Sequence, residues 1–86
     1  MHPLDAPAKI LSLVVTGQSL KVRLSDGRVV ENPLAWYPRL LKASQAERND
    51  FELSGDGYAV HWGKLDEDLS AQGIANGIPS VESALR

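Results

Sequence analysis

The first third of the chain alternates between apolar and polar positions, as a half-buried antiparallel sheet requires. Residues 10–16 are β-branched and apolar, and between residues 20 and 25 every second position is apolar. Asp26-Gly27 follows, a pair that favours a tight two-residue hairpin turn. We therefore predict a three-stranded antiparallel meander over residues 8–32.

The hydrophobic pattern changes after residue 33, where helix signals replace the alternation. Pro38 suits the first turn of a helix, and residues 39–43 are good helix formers. Ser44 and Glu47 have the spacing of a capping box, in which each side chain bonds the other residue's backbone N–H. We predict two short helices that meet at Ser44.

The last third predicts a second hairpin and a closing helix. Two short segments with strand-forming residues, 51–53 and 58–62, flank another Asp-Gly pair, which indicates a shorter hairpin. Ser70 can cap a helix over residues 71–76, and Gly77 can end that helix in the left-handed conformation. The predicted fold class is α+β, with an N-terminal meander, short helices, a second β-hairpin and a short C-terminal helix.

Length and composition indicate a folded chain with a single domain. The 86 residues are 43% hydrophobic and 23% charged, which is typical of a folded globular chain. A chain of this length holds one domain. We predict a single domain over residues 1–86, with an ordered core over about residues 8–77 and a mobile C-terminal tail.

Charge and cysteine content narrow the classes of function. Nine basic and eleven acidic residues leave a net charge of −2, which argues against nucleic acid as a partner. The absence of cysteine excludes disulfides and thiolate metal sites. No apolar run exceeds four residues and no signal peptide is visible, so we expect a cytoplasmic protein without a membrane span.

No motif in the chain predicts catalysis. His61 near the acidic run of residues 66–68 has the residue types for acid–base work or a cation site, but it also fits a solvent-facing strand position. No pair of residues has the metal-ligand spacing typical of zinc, and no serine lies in a nucleophile elbow. We expect no enzyme activity, no cofactor and no bound metal.

Three groups of residues remain as candidates for binding. The acidic run Asp66-Glu67-Asp68 fits a solvated turn that caps a helix, a partner-facing patch or a cation site. Arg39 and Arg48 fit a solvated helix face, phosphate contacts or internal ion pairs with that run. The aromatic residues fit either the core or an interface.

The order of these segments resembles the small bacterial family called domain of unknown function 2442, over roughly residues 8–77. The segments that carry the resemblance are Trp36-Tyr37-Pro38-Arg39-Leu40, Gly57-Tyr58-x-x-His61-Trp62 and Leu65-Asp66-Glu67-Asp68-Leu69-Ser70. A proline commonly follows the family's tryptophan, where this chain has Gly63. The resemblance implies a compact α+β domain and brings no catalytic residues with it. It also implies a gene neighbour that encodes another small protein, in a toxin–antitoxin-like pair.

We therefore expect a protein-interaction module, the antitoxin-like partner of a small toxin-like protein. The alternatives are a DNA-binding regulator and a self-associating ligand-binding domain, since exposed sheet edges favour homo-oligomers. The expected partner-binding residues are Arg39, Arg48, Trp62, Asp66, Glu67 and Asp68.

Overall fold

A computed structural model describes residues 8–80. Its strands are β1 (Ile10–Val15), β2 (Ser19–Leu24), β3 (Val29–Pro33), β4 (Glu52–Ser54), β5 (Ala59–Trp62) and β6 (Glu67–Ser70). Its helices are α1 (Pro38–Leu41), α2 (Gln45–Asn49) and α3 (Ala71–Ala75), with single 3-10 turns at Leu34–Trp36 and Gly55–Gly57. The prediction of a mobile C-terminal tail falls mostly outside the described residues.

The N-terminal meander is confirmed, with strand order β1-β2-β3 and antiparallel pairing throughout. The turn between β2 and β3 differs from the prediction. The Leu24 N–H bonds the Arg28 carbonyl at 2.9 Å, and the Gly27 N–H bonds the Leu24 carbonyl at 3.1 Å. This pattern encloses three loop residues instead of two. Gly27 alone in this loop has a positive φ, of 94°, whereas the predicted two-residue turn needs two such residues.

The two helices after the first sheet are confirmed. Pro38 is the first residue of α1. Ser44 caps α2 with the predicted capping box: its Oγ accepts the Glu47 N–H at 3.1 Å, and Glu47 Oε1 accepts the Ser44 N–H at 2.9 Å. This reciprocal bonding satisfies two backbone donors and places the bend between α1 and α2.

The second sheet contains the predicted hairpin, β4 and β5, and a further strand that the sequence did not predict. β6 pairs antiparallel with β5 and makes the order β4-β5-β6. The interpretation of residues 66–68 as a solvated helix-capping turn is therefore wrong. Asp66 closes the β5–β6 loop with a φ of 51°, whereas Glu67 and Asp68 belong to the strand.

The closing helix begins and ends as predicted. Ser70 Oγ accepts the Gly73 N–H at 2.9 Å and caps α3. Gly77, with a φ of 68°, ends it: the Gly77 N–H bonds the Ile74 carbonyl at 3.1 Å, and the Ile78 N–H bonds the Gly73 carbonyl at 3.0 Å. These two bonds form a Schellman motif.

One core joins the two sheets and the helices. The largest fully buried side chains are Trp62, Tyr37, Leu20, Leu24, Leu34, Leu40, Ile74, Val15, Val22 and Val60. The sheets also meet at Gly57, whose φ is 98° and where a side-chain carbon would lie 2.9 Å from the Ile10 carbonyl oxygen. Only glycine fits that approach without strain.

Tyr37 makes the domain lose stability at alkaline pH. Burial raises the pKa of its phenol above the usual 10.0, the hydrogen bond from Asn32 opposes this shift, and Glu67 adds to it. A raised folded-state pKa means that the neutral phenol stabilises the fold below about pH 10, and that this contribution is lost as pH rises further. We predict that the free energy of unfolding falls between pH 9 and about pH 11.

The measurement is urea unfolding across that pH range for the wild type and for Tyr37→Phe, which has no phenol to ionise. Their difference in stability should shrink as pH rises, because only the wild type carries the Tyr37 contribution. Parallel stability profiles for the two proteins would contradict the assignment.

Candidate functional site

A cleft of about 590 Å³ lies beside β6 and α3. Its rim is acidic, and its wall contains apolar side chains from α3 and the segment that follows. The lining residues are Arg39, Asp66, Glu67, Asp68, Leu69, Ser70, Gly73, Ile74, Ile78, Pro79 and Ser80. The cleft thus collects four of the six predicted partner-binding residues.

Arg39 reaches the cleft from α1. Its Nη1 donates to the Asp66 carbonyl at 2.6 Å and lies 3.7 Å from Asp66 Oδ2. Both side chains are exposed, so the ion pair itself adds little stability. The backbone bond positions the guanidinium at the start of β6. For Arg39, the hypothesis of an internal ion pair with the acidic run is confirmed.

The three consecutive carboxylates point in different directions. The Asp66 side chain is 91% exposed in the loop. Glu67 is buried on the core face of the second sheet, because it stands opposite Trp62. Asp68 lies on the outer face, opposite His61. Strand alternation separates neighbouring side chains in this way, so the run does not converge on one ion.

His61 stands in the middle of the outer face of the second sheet. Its cross-strand neighbours are Glu52 on β4 and Asp68 on β6. Its Nδ1 lies 2.5 Å from Asp68 Oδ1, and both side chains are partly exposed. Within residues 8–80 no group of three or more histidine and acidic residues is placed to hold a metal ion. The partly exposed position of His61 on the outer face of the sheet agrees with its interpretation as a solvent-facing strand residue.

Arg48 and Trp62 lie away from the cleft. Arg48 hydrogen-bonds the last carbonyl groups of α1: its Nε donates to the Leu40 carbonyl at 2.9 Å and its Nη2 to the Leu41 carbonyl at 3.0 Å. The alternative that Arg48 pairs with the acidic run is wrong. Trp62 is 0% exposed, and its Nε1 donates to the Arg48 carbonyl at 2.9 Å. Arg48 and Trp62 therefore support the fold.

Among the cleft residues that the sequence did not predict, Ile78 is the exposed large hydrophobic one, at 57% exposure. In a Schellman motif the residue after the left-handed glycine usually packs against the third-last helical residue. Here that residue is Gly73, which has no side chain to cover the isoleucine. The spacing Gly73-x-x-x-Gly77-Ile78 is the signal in the sequence that could have revealed it.

The profile of the family described as "Protein of unknown function (DUF2442)" matches residues 10–80. The chain therefore belongs to the DUF2442 family, as the resemblance indicated. A search of curated proteins found no match.

A solved structure has a similar fold. It is the crystal structure of a protein of unknown function from Rhodospirillum rubrum ATCC 11170, with a TM-score of 0.76 and 25% sequence identity. The similarity covers 94% of this chain and 100% of that one. In the described part of the chain, every helix is too short or too polar to cross a membrane.

Proposed function

We propose that this DUF2442 domain is a protein-interaction module that binds another small protein, in an antitoxin-like role, through the cleft beside β6. The observation that carries the proposal is the exposure of two carboxylates and one isoleucine around that cleft. Asp66 and Asp68 are 91% and 73% exposed, and Ile78 is more than half exposed. An apolar wall within a charged rim is the usual organisation of a protein interface.

The charges of the cleft indicate the character of the partner. The lining has one basic side chain, Arg39, and the three carboxylates of residues 66–68, so the net charge of the cleft is negative. A partner surface that carries lysine or arginine beside an apolar side chain complements this rim. The gene pairing implied by the family resemblance supports a small protein as that partner. The domain has no catalytic role in this proposal.

The test compares two double variants that remove the same charge from opposite edges of the second sheet. Asp66→Asn with Asp68→Asn neutralises the rim, and asparagine also tolerates the left-handed backbone of residue 66. Asp50→Asn with Glu52→Gln is the matched control at the other edge of this sheet. Each variant and the wild type are tagged and used to capture proteins from source cells.

We predict that the wild type and the control recover one small protein stoichiometrically, and that the rim variant binds it at least about tenfold more weakly. Thermal unfolding of both variants establishes that each is folded. Recovery of the same protein by the rim variant at unchanged affinity would remove the cleft from the interface. The absence of any stoichiometric partner of the wild type at low salt would overturn the proposed function.

A further inference from the structure

The cleft is bordered by a strand edge as well as by side chains. β6 lies at the end of the strand order β4-β5-β6, so among the described residues no strand pairs with its outer side. An unpaired strand edge presents backbone donors and acceptors to any extended segment that reaches it. β6 and the cleft therefore form a place where a strand can be added.

The hydrogen-bond pattern shows which residue of β6 presents its backbone to the cleft. The Ala71 N–H bonds the Tyr58 carbonyl at 2.8 Å. Along an antiparallel strand, the backbone N–H and carbonyl of successive residues point alternately to one side and the other. The backbone groups of Leu69 and Glu67 therefore face β5, and those of Asp68 face outward. The bond from Arg39 to the Asp66 carbonyl agrees with this alternation, because Arg39 approaches from the outer side.

The side chains of an added strand would meet two different surfaces. The residue opposite Asp68 lies on the outer face, next to a carboxylate that is largely exposed. The residues before and after it lie on the other face, one beside Leu69, which lines the cleft together with the exposed Ile78, and the other beside Glu67, whose side chain is buried. A basic residue between two apolar residues matches this arrangement.

We infer that the partner docks an extended segment with the pattern apolar–basic–apolar against β6, through two backbone hydrogen bonds to Asp68. This inference rests on the proposed function and specifies how the partner binds. α3 begins directly after β6, so the added pairing is a short bridge and not a long ladder.

The strand edges of a second copy do not fit this surface. The other edge strands of the two sheets are β1, β3 and β4, with the sequences ILSLVV, VVENP and ELS. None of them contains lysine or arginine. The outer edge of β1 is also occupied at Val15, whose carbonyl accepts Gln45 Nε2 at 2.7 Å. Beyond the His61 ring that already contacts Asp68, no edge strand in the described part of a second copy therefore offers this carboxylate a basic residue, and we assign the added strand to a different chain.

The experiment titrates the full 86-residue chain with the peptide acetyl-Ser-Val-Lys-Val-Ser-amide and follows backbone amides by NMR. We expect shifts at Asp68, Leu69 and Ile78, and hydrogen exchange at Asp68 slowed at least about threefold, while exchange at Leu69 is unchanged because its N–H already faces β5. The peptide in which glutamate replaces lysine is the control and should bind at least about tenfold more weakly.

Two methylated peptides test the backbone bonds directly. A methyl group on the lysine amide blocks antiparallel pairing with Asp68, and a methyl group on the following valine amide blocks parallel pairing. We expect one of the two to abolish binding and the other to leave it within about twofold. Equal binding by both would overturn the inference, as would loss of both or Asp68 exchange that stays unchanged.

The variant Asp68→Asn separates charge from backbone, because it keeps the N–H and removes the carboxylate. It should weaken binding of the lysine peptide and retain the methylation pattern. If the captured cellular partner still depends on Asp66 and Asp68 while Asp68 exchange is not slowed in that complex, the interface stands and strand addition is wrong. If the NMR shifts of the cleft residues change with protein concentration and not with added peptide, the cleft binds a second copy of the chain and the inference is overturned.

Discussion

Trp62→Ala is expected to destabilise the domain by about 3–5 kcal/mol, because it removes the largest fully buried side chain of the core. The Trp62 ring lies 5.9 Å from that of Phe51 at an interplanar angle of 54°. Its Nε1 also satisfies the Arg48 carbonyl. A chain of this size has about 5 kcal/mol of stability in total, so the variant should be largely unfolded at 37 °C.

Trp62→Phe is the matched control, because it keeps an aromatic ring and removes the indole donor. We expect a loss of about 1–3 kcal/mol, from the unsatisfied Arg48 carbonyl and the smaller ring. Urea unfolding followed by far-UV circular dichroism measures both variants. A Trp62→Ala protein with wild-type stability would show that the residue is not a core element.

Asn32→Asp is expected to cost about 3–5 kcal/mol at pH 7, through loss of a buried bridge. Asn32 lies in β3 and is 5% exposed. Its Nδ2 donates to the Tyr37 hydroxyl at 2.9 Å and to the Ile74 carbonyl at 3.0 Å, so one amide joins the first sheet to α3. A carboxylate at this position offers no donor and places a charge against the Ile74 carbonyl oxygen.

The pH dependence of this variant distinguishes the destabilisation caused by the buried charge from that caused by the lost hydrogen bonds. Burial raises the pKa of the introduced carboxyl, so it binds a proton more readily in the folded state and the variant regains stability as pH falls toward 4. Asn32→Leu lacks both the donors and the charge, and we expect a loss of about 1–3 kcal/mol relative to the wild type at either pH. If the two variants kept the same difference in stability at pH 4 and pH 7, the charge argument would be refuted.

Most elements of the fold could be predicted from local signals. The alternation over residues 20–25 predicted the meander, because period-two burial needs only a strand with one buried face. The cap at Ser44 and the stop at Gly77 depend on residues within one helical turn of each other. Such short-range bonds leave a direct trace in the sequence.

The sequence contains no such local signal for β6. Its sequence Glu-Asp-Leu-Ser has low strand propensity, and its acidic residues suggested a capping turn. It is a strand because β5 pairs with β4 on one edge only, and a tight loop that Asp66 closes in the left-handed conformation returns the chain along its other edge. The position of Arg39 at this loop also depends on a contact between residues far apart in the chain.

Periodicity and contacts within a few residues account for most strands and helices, for their caps and for the apolar stripe of the core, so these features follow from the chain alone. Two other features depend on which distant segments pack together: the burial of Trp62, and the cleft that Asp66 and Asp68 share with Arg39 and Ile78. The bonds from Arg48 to the end of α1 depend on how α2 folds back at the bend after α1. An amphipathic residue such as tryptophan or arginine suits either the core or the surface, and its packing partner in the folded domain decides between them.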